Sequence, residues 1–273
     1  MHLSICADDI GQDPSINEAS LKLFSLGRLS QVSVLALAPF VKSAREDLLS
    51  ARNNGLQIGL HLNLTLPFQA ALYCQPLARL ILLSQLRLLP TMAIEACILQ
   101  QLQTFEDLFQ ITPDFIDGHQ HIHQFPQIRD ILIRILSERY PHHSSLWLRS
   151  TALPKFTGYL PQAWKSHTLN LLGGSQFLAL LDEKNIKHNA GFLGVYGFNA
   201  PTQASYQQLM QAWLLLANEG SLVMCHPANT AVANDGIGPQ RWIEYQYLTS
   251  SAFGQDLEDN GITVRSPAHI ASI

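Results

Sequence analysis

Three histidines stand at alternate positions directly behind an aspartate in the stretch DGHQHIH, which runs from Asp117 to His123. Imidazole nitrogens and carboxylate oxygens bind divalent metal ions and carry protons. Only 14% of the residues are charged, and a solvated loop has no need for three histidines where Ser, Asn or Gly would serve. The stretch therefore indicates a metal site or a proton-transfer site.

Other polar groups of this kind occur in four further parts of the chain. They are Asp8 and Asp9 in ADDIG, His61 in GLHLNLT, Arg149 in LWLRS and His226 in VMCHPA. Each has a structural explanation when it is taken alone: a turn or helix cap, a core histidine, an ion pair, a hydrogen bond. The second carboxylate of the pair is hard to explain as a cap, because Asp13 or Ser15 could cap the following helix.

The elements that must position these groups follow from the apolar pattern. Short apolar runs predict eight strands at 2–7, 32–37, 56–64, 114–118, 145–150, 188–194, 221–225 and 261–264. Helical spacing predicts helices at 15–27, 43–55, 92–110, 126–140, 175–184, 203–218 and 240–253. Strands that alternate with helices favour an α/β fold, a TIM-like (β/α) barrel of seven or eight mostly parallel strands in one domain spanning 1–273. A doubly wound open sheet is the alternative, and the apolar segment 66–90 is predicted to be a helical excursion over one barrel mouth.

The polar groups fall at the carboxyl ends of five predicted strands. In parallel α/β folds these ends line one face, where function collects. We therefore expect the groups to converge at one rim. One carboxylate and two imidazoles form a normal ligand set for a divalent ion, although the set does not identify the metal. The remaining histidines are surplus to a single ion and are expected to support its ligands or to contact substrate.

Composition excludes several classes of partner. The net charge of −4 is spread along the chain without a basic stripe, so nucleic acid is not expected to bind. The chain opens without a recognisable secretion signal, and the leucine-rich run 77–89 is too short and too charged to span a membrane. The four cysteines share no ligand spacing and are expected to be reduced core thiols of a cytoplasmic protein.

Four motifs in order, ICADDIG, GLHLNLT, DGHQHIHQFP and VMCHPA, resemble those of the YdjC-like carbohydrate deacetylases. A late stretch, RWIEYQYL, with Arg241 and Glu244, also fits the family pattern. The resemblance implies a TIM-like barrel and a metal-dependent hydrolase that removes acetyl groups from N-acetylated sugars such as chitooligosaccharides. This sequence departs from the family after GLHLNLT, where a Gly-containing acidic loop is replaced by the short apolar segment 66–90, which puts the substrate in question more than the chemistry.

The resemblance also implies roles for individual residues. Asp9, His61 and His119 would hold one divalent ion, Asp8 would be the general base and His226 the general acid with a pKa near neutrality. Residues expected to contact substrate or support the site are Thr65, Asp117, His121, His123 and Arg149. Magnesium is the ion expected from the family, and two imidazoles make zinc or another transition metal chemically credible. The implied partners are an acetylated mono- or oligosaccharide, no nucleic acid, no membrane, and a second copy in a homodimer.

Two other functions remain open from the sequence. Metal-dependent barrel hydrolases of the amidohydrolase or phosphoesterase type also carry His-x-His pairs, although there the pair typically ends the first strand, which here carries ADD. A non-catalytic sugar- or metal-binding protein would be expected to lack the base, whereas Asp8 is present. Trp147, Tyr196 and Phe198 are candidates for sugar stacking, with burial in the core as the alternative.

Overall fold

The computed structural model describes residues 1–141, 145–154 and 163–266. The strands are β1 (His2–Ile10), β2 (Gln31–Val34), β3 (Gln57–Leu62), β4 (Phe115–Gly118), β5 (Trp147–Leu148), β6 (Gly191–Leu193), β7 (Ser221–Cys225) and β8 (Thr263–Val264). The helices are α1 (Pro14–Ser25), α2 (Val41–Asn53), α3 (Leu77–Gln85), α4 (Thr91–Phe109), α5 (Ile128–Arg139), α6 (Ala163–Leu169), α7 (Ser175–Glu183), α8 (Gln203–Leu216), α9 (Gly238–Thr249) and α10 (Ser251–Asp259). A 3₁₀ segment, His119–Gln124, follows β4, and a π-helical turn, Asn170–Gly174, joins α6 to α7.

The strands form one curled parallel sheet in the order β5-β4-β3-β2-β1-β7-β6, and β8 pairs in parallel with the start of β1. Within the described residues no ladder joins β5 to β6. Two backbone bonds nevertheless bring these edges together, from Leu148 N to the Lys187 carbonyl and from Phe192 N to the Ala152 carbonyl, each 2.9 Å long. The parallel α/β architecture is confirmed, but the ladders of the described residues form a curled half-barrel and not the closed TIM-like barrel that was expected.

Helices pack their apolar faces on the sheet as the spacing predicts. In α4 the buried positions include Ile94, Ile98, Leu102, Phe105 and Phe109, which recur every three or four residues and so lie on one face. The strands are buried on almost every residue, as is typical of a parallel sheet covered by helices. This core fixes the strand ends that carry the polar groups.

Several predicted boundaries differ from the structure. The first strand continues to Ile10, so the ADD motif lies inside β1 and not behind it. The predicted helix 240–253 is two helices, because the chain leaves helical geometry at Ser250, whose side chain accepts a hydrogen bond from Phe253 N. The segment 66–90 is helical only in α3, and α6 with its π-helical turn was not predicted. The described part of the chain contains no helix that combines the length and apolar character needed to cross a bilayer.

Candidate metal centre and its cavity

A β-bulge near the end of β1 brings two adjacent carboxylates to one cavity. Neighbouring residues of a regular strand point to opposite faces of the sheet. Between Ala7 and Ile10 the register of β1 against β2 shifts by one residue, and Asp9 has a left-handed backbone with φ of 66°. Asp8 and Asp9 consequently both line the same cavity. Asp is one of the few residues that tolerate this backbone conformation without large strain.

Asp9, His61 and His119 come together from three separate elements, as the sequence predicts. The Asp9 Oδ1 atom lies 2.9 Å from His119 Nδ1 and 3.4 Å from His61 Nε2. All three candidate ligand atoms lie within 4.8 Å of one another. Two donors that each sit about 2.1 Å from a common ion are roughly 2.9–3.4 Å apart at ligand angles between 90° and tetrahedral. The donor types and their spacing therefore fit a single divalent cation.

Asp117 fixes the orientation of the His61 ring. His61 Nδ1 donates to Asp117 Oδ1 at 2.6 Å, and Ser33 Oγ donates to the same oxygen at 2.5 Å. Because Nδ1 donates to Asp117, the atom that faces Asp9 is Nε2, and this is the atom that would lose its proton to bind a metal. Asp117 thus contacts a candidate ligand, and its role in supporting a metal site stays a prediction. Ser33 was missed, although a serine inside the apolar strand QVSV was a possible signal.

The 3₁₀ segment behind β4 separates the three alternating histidines. Gly118 allows the sharp turn, because a Cβ there would lie 3.0 Å from His123 N. Gln120 and His121 then adopt left-handed backbone conformations, with φ of 53° and 59°. As a result His119 joins the candidate ligands and His121 lines the cavity. His123 is buried instead, and its Nε2 donates to the Arg149 carbonyl at 2.8 Å.

Arg149 holds the carboxylate that the sequence predicts to be the base. Its Nη1 and Nη2 atoms donate to the two oxygens of Asp8 at 2.7 and 2.8 Å, and Nη2 also lies 2.6 Å from Asp117 Oδ2. Arg149 is fully buried, so these charge-assisted bonds lie away from bulk water. It supports both carboxylates and is absent from the cavity wall. Cys6 lies against the same guanidinium, with Arg149 Nη2 2.9 Å from its sulfur.

A second buried arginine and a buried glutamate, both in α9, complete the surroundings. Arg241 Nη2 donates to Asp9 Oδ2 at 2.6 Å, which leaves Asp9 Oδ1 to face the two histidines. Glu244 accepts from the backbone N–H of His226 at 2.6 Å and from the hydroxyl of Tyr196 at 2.5 Å. The late motif RWIEYQYL therefore contributes one residue behind a candidate ligand and one behind the candidate acid.

Charge and burial shift several pKa values in the site. Burial would raise the pKa of Asp9, but the His119 ring and the Arg241 guanidinium outweigh it and hold the pKa well below its usual range. Burial opposes protonation of His61, yet Asp117 and Asp8 raise its pKa to about 10. Burial lowers the pKa of His226 to about 4, away from the near-neutral value that the sequence analysis expected. Glu244 shows the opposite effect, because burial raises its pKa to about 7.

The cavity has a volume of about 530 Å³, within the usual range for small-molecule sites. Its wall includes the candidate ligands, Asp8, His226, Tyr196 and Phe198. Trp147 is buried and stacked on Phe115, with ring centroids 4.7 Å apart. It therefore belongs to the core and is not available to stack on a sugar. Thr65 lies in a turn held by the Asn63 side chain and is not part of the wall. Leu66 and Leu77 do line the cavity, so the segment 66–90 contributes to its wall.

Comparisons with known proteins give the site a context. A chitooligosaccharide deacetylase of Yersinia enterocolitica is 26% identical, and the match covers 97% of both chains. A carbohydrate deacetylase of Danio rerio is 30% identical over 50% of this chain. That match spans 46% of the Danio rerio protein, and the chain spans about half the length of two further relatives of that name.

The fold has a counterpart among solved structures. A protein of Enterococcus faecalis V583, provisionally assigned to cellobiose-phosphate cleavage, superposes with a TM-score of 0.70 over 97% of both chains at 19% identity. At that identity the likeness shows the fold alone. The family model described as YdjC-like protein matches residues 2–259. Since that match takes in nearly the whole chain, this protein belongs to the YdjC-like family.

Proposed function

We propose that this chain is a hydrolase that uses a divalent metal ion to remove acetyl groups from N-acetylated sugars. The observation that carries the proposal is the convergence of Asp9, His61 and His119 beside a further carboxylate, Asp8, on the wall of one cavity. The names of the curated relatives support the class of substrate. The two nitrogen ligands favour a transition metal such as zinc over magnesium, which prefers oxygen ligands.

Asp9, His61 and His119 would hold the ion. When bound, the ion acts as a Lewis acid toward the acetyl carbonyl and makes water a stronger nucleophile at neutral pH. Asp9 can serve with one oxygen only, because Arg241 occupies the other. His61 serves through Nε2 because Asp117 occupies Nδ1. Both ligands are therefore oriented before substrate arrives.

Asp8 would take the proton of the attacking water. Each of its oxygens accepts one bond from Arg149, and an ionised carboxylate has further lone pairs for a water molecule. Arg149 keeps the carboxylate in place at the cavity wall. General-base catalysis of this kind contributes about 10²–10⁴ in rate.

His226 would supply the proton that the leaving nitrogen needs. Burial lowers its pKa to about 4, so the ring is neutral near pH 7. A neutral imidazole is a weak acid and protonates nitrogen only as the C–N bond breaks and that nitrogen becomes basic, a use of neutral histidine with precedent in enzyme chemistry. Glu244 fixes the backbone of His226 at the cavity edge. The products are acetate and a free amine.

Acetate release from N-acetylglucosamine oligomers tests the proposal. We expect turnover that a chelator abolishes and that added divalent metal restores. Asp8→Asn should lower kcat by about 10²-fold or more while metal affinity is retained, because Asp8 is not among the ligands. Asp182→Asn, which alters a surface pair with His188, is the matched control and should leave kcat unchanged. Chelator-resistant turnover, or full activity in Asp8→Asn, would refute the proposed mechanism.

A further inference from the structure

One face of α6 forms part of the cavity wall. Residues four positions apart lie next to each other on the surface of a helix. In α6 this applies to the pair Trp164 and Thr168 and to the adjacent pair Lys165 and Leu169. All four line the cavity. The catalytic roles proposed above involve no side chain of α6.

Trp164 is the most exposed of the four tryptophans. It is 65% exposed, against 37% for Trp242, whereas Trp147 and Trp213 are 2% and 1% exposed and belong to the core. Lys165 Nζ lies 4.6 Å from the centroid of the Trp164 ring, a cation–π contact that steadies the indole. Much of the ring surface remains free for a ligand. A large exposed aromatic on the wall of a cavity is a typical recognition element, since it offers apolar area at a low cost in conformational entropy.

The position of α6 relative to the candidate metal centre is fixed by a direct bond. Gln124 ends the 3₁₀ segment that begins with His119, and its Nε2 donates to the Leu169 carbonyl at 3.1 Å. The Gln124 Oε1 atom in turn accepts from the hydroxyl of Thr151. The same short segment therefore positions a candidate ligand at one end and the wall carrying Trp164 at the other.

We infer that Trp164 is the platform on which a second sugar ring stacks, beyond the ring that carries the reacting acetyl group. The inference rests on the proposed function and assigns one side chain of that site to the second sugar ring. Leu169 of α6 packs against the apolar cluster that contains Val195 and Met224, and all three side chains line the cavity. The C–H face of a pyranose suits an indole surface, and its hydroxyls suit Lys165 and Thr168 at the edge.

The test compares two tryptophan variants on substrates of two lengths. For Trp164→Ala we expect KM for the N-acetylglucosamine trimer to rise roughly ten-fold, a typical loss for a buried aromatic contact, with kcat nearly unchanged. Trp164→Phe should recover most of the affinity because it keeps a ring. KM for the monosaccharide should not move. Trp242→Ala removes another partly exposed tryptophan, one that lies outside the cavity. This variant should leave KM unchanged for both substrates.

Calorimetric binding of the trimer to metal-loaded protein separates this inference from the proposed function. If the wild type binds the trimer without releasing acetate and Trp164→Ala binds about ten-fold more weakly, the platform stands and the deacetylase proposal fails. Unchanged trimer affinity and KM in Trp164→Ala overturn the platform, whatever the turnover. A wild type that neither binds nor deacetylates the trimer overturns both.

Discussion

Replacing Asp117 by Asn exchanges one carboxylate oxygen for an NH₂ group at the junction between the candidate ligand His61 and the buried Arg149. An amide presents one acceptor and one donor where the carboxylate presents two acceptors. If the amide oxygen faces His61, the NH₂ group meets the guanidinium of Arg149. If it faces Arg149, the NH₂ group meets His61 Nδ1 and moves the ring proton to Nε2, the atom needed for the metal.

The magnitude of the effect follows from the contacts of Asp117. Burial opposes its ionisation, but Arg149 and His61 outweigh burial and lower its pKa from 3.8 to about 2. That lowering corresponds to about 2 kcal/mol of preference for the charged form. We expect the free energy of unfolding to fall by about 2–3 kcal/mol, less than for a fully orphaned arginine because Asp8 still pairs with Arg149. Metal affinity should fall about 10–100-fold, as for other losses of a carboxylate behind a histidine ligand.

Isothermal titration of the metal-free protein with Zn²⁺ or Co²⁺, alongside urea unfolding, measures both quantities. Asp114→Asn is the matched control, because Asp114 also accepts from an arginine, Arg52, and from a backbone N–H, but away from the candidate ligands. The control should lower stability and leave metal affinity unchanged. Wild-type metal affinity in Asp117→Asn would show that this carboxylate does not orient a ligand.

Two further predictions concern pH. Because the neighbouring carboxylates raise the pKa of His61 to about 10, metal binding must displace its proton near pH 7, so affinity should rise about ten-fold per pH unit between pH 6 and 8. Calorimetry in buffers of different ionisation enthalpy should report release of about one proton; no proton release would contradict this. Glu244 has a pKa raised from 4.5 to about 7, so its contribution to stability is complete below about pH 4.5 and is lost as pH rises through 7, a fall of about 3 kcal/mol. Glu244→Gln should remove that part of the pH dependence of urea unfolding, and identical profiles for the two proteins would refute it.

The alternation of apolar strands and amphipathic helices was enough to predict the fold class. Strands β1 to β7 are buried on both sides and each long helix on one side, so both periods are visible in the sequence. The open seam between β5 and β6 was not predictable. The two strands at the seam have only two and three residues. In strands this short, the apolar pattern of the sequence does not show which backbone groups pair, and so it does not show where the ladder ends.

The candidate ligands were predictable because each stands at or next to a strand end. The supporting contacts were harder to foresee, since they join residues far apart in sequence: Ser33 with Asp117, and Arg241 with Asp9. The three histidines look equivalent in the sequence. Only the left-handed turn at Gln120 and His121 separates the candidate ligand His119 from His121 on the cavity wall and from the buried His123. The pKa of His226 was mispredicted because its burial depends on the whole cavity wall.

The backbone at Asp9 also constrains how this member of the YdjC-like family can change over generations. A left-handed residue costs about 1–2 kcal/mol for most side chains and less for Asp or Asn. Replacement of Asp9 by Glu or His, both reasonable metal binders, therefore carries a conformational penalty before any coordination chemistry is considered. His61 sits in a regular strand and carries no such penalty. If these residues hold a metal as proposed, a change of metal preference is accordingly easier through position 61 than through position 9.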